Sequence, residues 1–297
     1  MDLSFHGLEA LIRTGTLAST VPPKQARITL GTLGALGIIL TLNQLLNRVA
    51  LHNSLWNSSW NWRREIVLVT GGSSGLGDLV VSKLAKKSIK VVNMDVGSPE
   101  EVQRVAKLIR EDVGEPTVLV NNAGTGTMKT ILQGTEEETR RTFGVNILAL
   151  FSLARAFIPS MIERNHGHVI TIASMTSFIT IPSNVDYSCT KAAALAFHEG
   201  LAQELKHRYS ATNVKTSIIH PTFVRTPLLE EHLQKGPFKD QLLDPNMVTD
   251  AIVAQILRGK SGQVFLPSFH SFISGIRGFP IWLQELLRSS RADVLRA

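Results

Sequence analysis

A chain of 297 residues with 43% apolar side chains can bury a sizeable core and is too apolar to be disordered. Lysine and arginine outnumber aspartate and glutamate, 31 against 24, but no basic run with interleaved aromatics marks a nucleic-acid partner. The single cysteine, Cys189, excludes an intramolecular disulfide framework and reads as a packed thiol, and no histidine has the spacing of a metal site.

Residues 1–27 form a mixed N-terminal tail closed by Pro22, Pro23, Lys24 and Arg27. From Ile28 to Asn47 no charge occurs, and as a helix this stretch matches a hydrocarbon core of about 30 Å. Gly31, Gly34 and Gly37 give it a small-residue face, while Asn43, Gln44 and Asn47 weaken its end. The expectation is a membrane-anchor helix over 28–50, with a buried amphipathic helix as the alternative. Basic residues flank both sides, so they do not orient the span. In the linker 51–63, Trp56, Trp60 and Trp62 are placed as an interfacial aromatic belt.

A Rossmann-like domain is expected over 64–267. The short apolar strand 65–70 runs into Gly71-Gly-Ser-Ser-Gly-Leu-Gly77, and a helical pattern follows. Glycines after a strand let the backbone approach a pyrophosphate, and the following helix N-terminus supplies free N–H groups. Another buried strand, from Thr117, ends in Asn121-Asn122-Ala123-Gly124. Further strands are read at 168–174, 214–219 and 262–267, with a helix over 136–158 that carries Asn146. Alternation of this kind implies an α/β fold, a doubly wound parallel sheet with its ligand at the carboxyl edge.

Tyr187 and Lys191 stand four apart, one turn along one helix face. An ammonium beside a phenol favours the phenolate, so the expectation is a tyrosine pKa lowered towards neutrality. Ser174, at the end of an apolar strand, is placed to hold a substrate oxygen against Tyr187.

Together these residues resemble the short-chain dehydrogenase/reductase family over about 64–266. Thr70–Gly77 matches its glycine motif, Asn121–Gly124 its N-N-A-G, and Pro221–Thr226 its P-G-x-x-x-T, with Thr222 in place of glycine. The resemblance implies a catalytic tetrad of Asn146, Ser174, Tyr187 and Lys191, with Asn146 holding a water that links the lysine to solvent. It implies a nicotinamide site made by Gly71, Ser73, Ser74, Gly75, Leu76, Gly77, Asp95, Asn122, Ala123, Gly124, Tyr187, Lys191, Val224 and Thr226. The anchor and the apolar carboxyl end look most like the membrane-associated branch, which includes retinol dehydrogenases and lipid-droplet hydroxysteroid dehydrogenases.

Between the glycine motif and N-N-A-G the family has strand, helix, strand, helix. Here only 89–95 and the helix 99–111 remain, as if about twenty residues were missing near Asn93. Six strands are therefore expected in place of seven, with 89–95 as an edge beside the first strand and Val91 or Val92 poorly covered. Asp95 reads two ways: by its distance from Gly71 it stands where an acid binds the adenosine ribose, which tilts the cofactor from NADP towards NAD, and by its Asp-Val context it resembles the family's adenine-contacting residue. Residues 228–247 read as a substrate loop, and 268–297 as an apolar flap or membrane-interface segment interrupted by Pro280.

The function implied is hydride transfer between NAD or NADP and a lipophilic alcohol, ketone or aldehyde of the retinoid, steroid or long-chain lipid class. The implied setting is an endoplasmic reticulum or lipid-droplet surface with the catalytic domain cytosolic, and a homodimer is compatible with it. The alternative is a shortened, cofactor-deficient relative or a lipid-surface scaffold.

Overall fold

The computed structural model describes residues 60–295 apart from 95, 97 and 235–237, and most positions between 32 and 50. Two compact units are present, residues 1–55 and 56–297. In the first, the described positions between 32 and 50 are helical and exposed, Ile38, Ile39, Leu42 and Leu46 among them.

The second unit is built on a parallel sheet of six strands: β1 (Ile66–Thr70), β2 (Lys90–Met94), β3 (Val118–Asn121), β4 (Gly167–Ile172), β5 (Val214–Pro221) and β6 (Gly262–Leu266). Their order is β2-β1-β3-β4-β5-β6. Strand β2 runs along β1 in register from Ile66 opposite Lys90 to Thr70 opposite Met94, the edge position expected from the shortened sequence. Val91 and Val92 are half-buried there, whereas Val67, Leu68 and Val69 of β1 are fully buried. Asp95 lies outside the described residues.

Helices cover both faces. On one, Val80 and Leu84 of α1 (Gly75–Ala85) pack with Val248, Ile252 and Ile256 of α7 (Pro245–Arg258). On the other, Val102, Ala106 and Ile109 of α2 (Pro99–Asp112) meet Leu153, Phe157 and Met161 of α4 (Ala149–Glu163) and Leu205 of α5 (Val185–His207). Each of the larger side chains among these contributes roughly 1.5–3 kcal/mol, the Ala106 methyl less. Local chemistry sets where these helices begin. Ser98 caps α2 ahead of Pro99, and Thr135 and Glu138 form a reciprocal capping box on α3 (Glu136–Phe143). A π-helical turn, Gly144–Leu148, joins α3 to α4.

After α6 (Pro227–Leu233) and α7, the carboxyl end forms a 3₁₀ stretch, Ser268–Gly278, and a final helix α8 (Ile281–Ser289). Pro280 stands between them as the N-cap of α8, the interruption expected of it. Among the described residues, one stretch is long and apolar enough to cross a membrane, 136–163. It spans α3 to α4 and is half buried in the fold, as a core helix is.

Two expectations are corrected here. Trp60 stacks on Trp62 at 5.2 Å and donates its indole N–H to the Gly259 carbonyl at 3.1 Å, so these two rings pack on the catalytic unit and form no belt. Trp56 lies outside the described residues. Cys189 is exposed on α5: Ser188 and Thr190, on opposite sides of the helix, are both buried, and Cys189 points in the direction left open between them.

Gly77 of α1 sits against the loop it follows: a Cβ there would stand 2.1 Å from the Gly71 carbonyl oxygen. Gly200 of α5 has open space around it. Gly77→Ala is therefore expected to cost about 1–3 kcal/mol, and Gly200→Ala to gain about 0.5–1 kcal/mol, by urea denaturation. Losses of equal size at both sites would contradict this packing.

Candidate active site

In an open parallel sheet the crevice lies where the strand order reverses, here between the carboxyl ends of β1 and β3. Two loops meet there. Thr70 Oγ1 accepts from the backbone N–H groups of Asn122 and Ala123, both at 3.1 Å, and donates to the Val120 carbonyl at 3.3 Å. The Asn122 amide returns bonds to the carbonyls of Thr70 at 3.0 Å and Gly71 at 3.2 Å. Gly71 adopts φ +63°, and a Cβ there would press to 2.9 Å on the Ala123 Cα. Only glycine allows the two loops to meet this closely.

Above the loops lies a cavity of about 540 Å³. Gly71, Ser73, Ser74, Gly75 and Leu76 line it from β1, and Asn122, Ala123 and Gly124 from β3. Ser174, Tyr187, Lys191, Val224 and Thr226 line its other walls. Gly77 is not on this surface and serves the packing beneath. Asn146 also stands behind the lining, buried on the π-helical turn.

Ser174 leaves β4 in extended conformation and begins the short 3₁₀ turn Met175–Ser177. Its hydroxyl accepts from the Thr176 N–H at 3.2 Å and lies 3.4 Å from the Pro221 carbonyl. Lys191 Nζ donates to the Ile172 carbonyl at 2.9 Å and stands 5.3 Å from the Tyr187 ring centroid. A Cβ on Gly124 would lie 3.6 Å from both Lys191 Nζ and Asn146 Oδ1, and one on Gly126 would touch the Tyr187 ring at 3.1 Å. Asn146, Tyr187 and Lys191 thus converge on one loop, and Ser174 joins them through its hydrogen bond with Tyr187.

The electrostatics differ from expectation. Burial pushes the Tyr187 phenol up to about 12, against the opposing pull of its hydrogen bond with Ser174. Burial likewise brings the Lys191 ammonium down to about 8. The ammonium is turned to a backbone carbonyl and is itself desolvated, so it does not bring the phenol towards neutrality. Tyr187 keeps its proton at neutral pH.

Asn146 makes three side-chain bonds. It accepts from the Thr125 N–H at 2.8 Å, donates to the Thr125 carbonyl at 2.8 Å, and donates to Thr190 Oγ1 at 2.9 Å. Thr190 in turn donates to the Tyr187 carbonyl at 2.7 Å. This side chain clamps the loop after β3 to the helix that carries Tyr187.

The donor set suits a dinucleotide. Ser74 gives α1 no side-chain cap, which leaves the helix N-terminal N–H groups to a pyrophosphate beside the glycines. Asn93, which the sequence reading passed over, accepts from the Gly72 N–H at 2.7 Å and braces the loop from β2. No motif marks it; only the pairing of β2 beside β1 brings it there.

A profile of the short chain dehydrogenase family matches residues 84–236, just over half of the chain. The chain belongs to the short-chain dehydrogenase/reductase family. The profile begins past the glycine loop, whose strand, turn and helix are nonetheless in place. Dehydrogenase RED2 of Cochliobolus heterostrophus is 39% identical over 208 residues, 63% of this chain and 78% of RED2. Human 17-beta-hydroxysteroid dehydrogenase 13 is 32% identical over 244 residues, 72% of this chain and 79% of its own. A short-chain dehydrogenase structure from Streptomyces avermitilis superposes with TM-score 0.62 at 25% identity, covering 76% of this chain and 98% of that one. This short-chain dehydrogenase is an NAD(P)-dependent oxidoreductase.

The Asn146 clamp has a measurable weight. Asn146→Ala leaves the half-buried N–H and carbonyl of Thr125 without this partner and removes the donor to Thr190 Oγ1, and is expected to lower stability by about 1–3 kcal/mol in urea denaturation. Thr190→Val removes one of these three bonds and the bond to the Tyr187 carbonyl, leaves the Thr125 loop held, and is expected to cost less. Equal losses would deny that Asn146 holds the loop.

Proposed function

We propose that this enzyme is a membrane-associated dehydrogenase that interconverts a lipophilic alcohol with its ketone or aldehyde. The observation that carries the reading is the meeting of Ser174, Tyr187 and Lys191 with an apolar outer cavity. Ile179, Ile181, Phe223, Leu228, Leu229 and Leu295 line the cavity, with the Asp240–Arg291 ion pair and His270 also on its wall. It suits a substrate whose polar atom reaches the tyrosine while its body lies among hydrocarbon side chains. Relatives named for steroid dehydrogenation support the same class.

The bound nicotinamide supplies the hydride acceptor or donor. Everything else falls to the protein. In reduction the protonated Tyr187 hands its proton to the carbonyl oxygen and becomes the phenolate; in oxidation the phenol first releases its proton to solvent, and the phenolate then takes the proton of the alcohol. Ser174 orients the substrate oxygen from the other side. Lys191 holds the cofactor ribose and offers positive charge when the phenolate forms. Asn146 acts through the loop and the tyrosine helix and is a positioning residue. The preference proposed is for NAD over NADP, since no lysine or arginine stands in Thr70–Gly77 to receive a 2′-phosphate.

Two surfaces support membrane association. The helix between 32 and 50 exposes Ile38 and Ile39 at 70% and 61%. In the carboxyl-terminal segment, Phe269, Phe272, Ile281, Trp282 and Leu286 are exposed while Ile273 lines the cavity, so a lipid-facing side backs onto the substrate site.

A screen over retinoids, steroids and long-chain alcohols with NAD and NADP tests the substrate class, and fluorescence titration with NADH and NADPH tests the cofactor preference. Tyr187→Phe should reduce turnover about 10²- to 10⁴-fold while NADH binding stays near wild type. Retention of more than half of the activity would overturn the assigned chemistry. Failure to bind either cofactor would favour the cofactor-deficient reading. Removal of residues 1–55, which keeps the Trp60 contact with Gly259, should move the protein into the soluble fraction on carbonate extraction while the full chain pellets. Pelleting of both would assign retention to 268–289 in place of the helix.

A further inference from the structure

His220, the penultimate residue of β5, is fully buried and takes no part in the chemistry described. Its ring is held between Phe178, at 4.8 Å, and Phe265, at 5.2 Å and nearly parallel. Nδ1 lies 3.1 Å from the Ser174 main-chain carbonyl oxygen. A carbonyl oxygen only accepts, so Nδ1 carries the proton. Burial drives the imidazole pKa down to about 4, so the ring is neutral and Nε2 is an acceptor. A donor is in place: the Gln263 amide nitrogen, 3.1 Å away on β6. Lys191 and His198 are the charged or titratable groups whose fields reach this ring.

The bonds therefore run in one direction, from Gln263 to His220 to Ser174. The Ser174 carbonyl also accepts from the Ser177 N–H at 3.0 Å, which uses its second lone pair. The Ser174 hydroxyl meets the carbonyl of Pro221, the residue after His220, at 3.4 Å. Two consecutive residues at the end of β5 thus grip Ser174 by its main chain and by its side chain. An aromatic sandwich alone would accept a phenylalanine here. The directed pair of hydrogen bonds would not.

We propose that His220 is a second positioning residue of the active site, whose Nδ1–H fixes the Ser174 main chain and so sets the Ser174 hydroxyl against Tyr187. This deepens the assignment of Ser174 made above and rests on it. Without that bond the 3₁₀ turn is free to shift, and the hydroxyl loses its place beside the phenol.

The chain has two tyrosines, Tyr187 and Tyr209, so ¹³Cζ-tyrosine labelling of the full chain in detergent gives two resonances, and Tyr209→Phe assigns them. Ser174→Ala should displace the Tyr187 resonance by removing its hydrogen bond. His220→Phe should displace it in the same direction, and the double variant should add nothing further. His220→Asn, whose amide nitrogen can stand where Nδ1 does, should leave it near the wild-type position, and His220→Gln, whose amide reaches the Nε2 position, should not. Should His220→Phe fail to fold, the Asn and Gln variants carry the comparison. An unmoved resonance in His220→Phe, or equal displacement in the Asn and Gln variants, overturns the proposal. The readout needs neither turnover nor cofactor, so it can fail while the Tyr187→Phe test of the chemistry succeeds, and the reverse.

Discussion

The staple between Thr70 and Asn122 is the constraint on which the rest of the site depends. Its bonds tie the end of β1 to the end of β3 where the strand order reverses. From there the connection continues without a gap. The loop after Asn122 leads to Thr125, which Asn146 holds by both backbone groups. Asn146 bonds Thr190, and Thr190 bonds the Tyr187 carbonyl. The glycine loop and the proposed proton donor are thereby parts of one hydrogen-bonded frame. Since each link is buried or half-buried, breaking one leaves a desolvated polar group, and the frame holds for that reason.

The same burial that makes the frame firm sets the protonation of the site. A phenol and an ammonium in adjacent turns of a water-exposed helix would share charge easily. Here both are withdrawn from solvent, and desolvation penalises the charged form of each. Tyr187 is held as a phenol and Lys191 is brought nearer to neutrality. At rest such a site keeps the proton on the phenol, and Lys191 Nζ donates to the Ile172 carbonyl.

The shortened stretch after α1 changes the sheet without disturbing the crevice. Strand β2 pairs only with β1, and it supplies Asn93 to the glycine loop. At the opposite end the carboxyl-terminal segment wraps back over the cavity. Arg291 pairs with Asp240 at 2.6 Å, and Val294 and Leu295 pack with Ile181 and Leu229. The core of the fold builds one half of the site, and the segment with the least regular structure closes the other.

The sequence by itself carried the fold class, the six strands with their order at the edge, and the spacing of Tyr187, Lys191 and Ser174, while resemblance to the family supplied Asn146. These depend on local patterns: apolar strands of fixed length, glycines at a strand end, a tyrosine and lysine one helical turn apart. The start of α2 at Ser98-Pro99 and the break at Pro280 were legible for the same reason, since caps and proline act on their own neighbours. What tertiary structure decided were properties of burial and of distant pairs. Trp60 looks like a membrane-belt residue until Gly259, far along the chain, is brought against it. Tyr187 looks like a phenol poised to ionise until the surrounding fold removes its water. Asn93 and His220 carry no motif, because their partners, Gly72 and Ser174, are joined to them only by the pairing and packing of strands. A local pattern states which groups are present; desolvation and long-range contacts, which set what those groups do, exist only once the chain has closed.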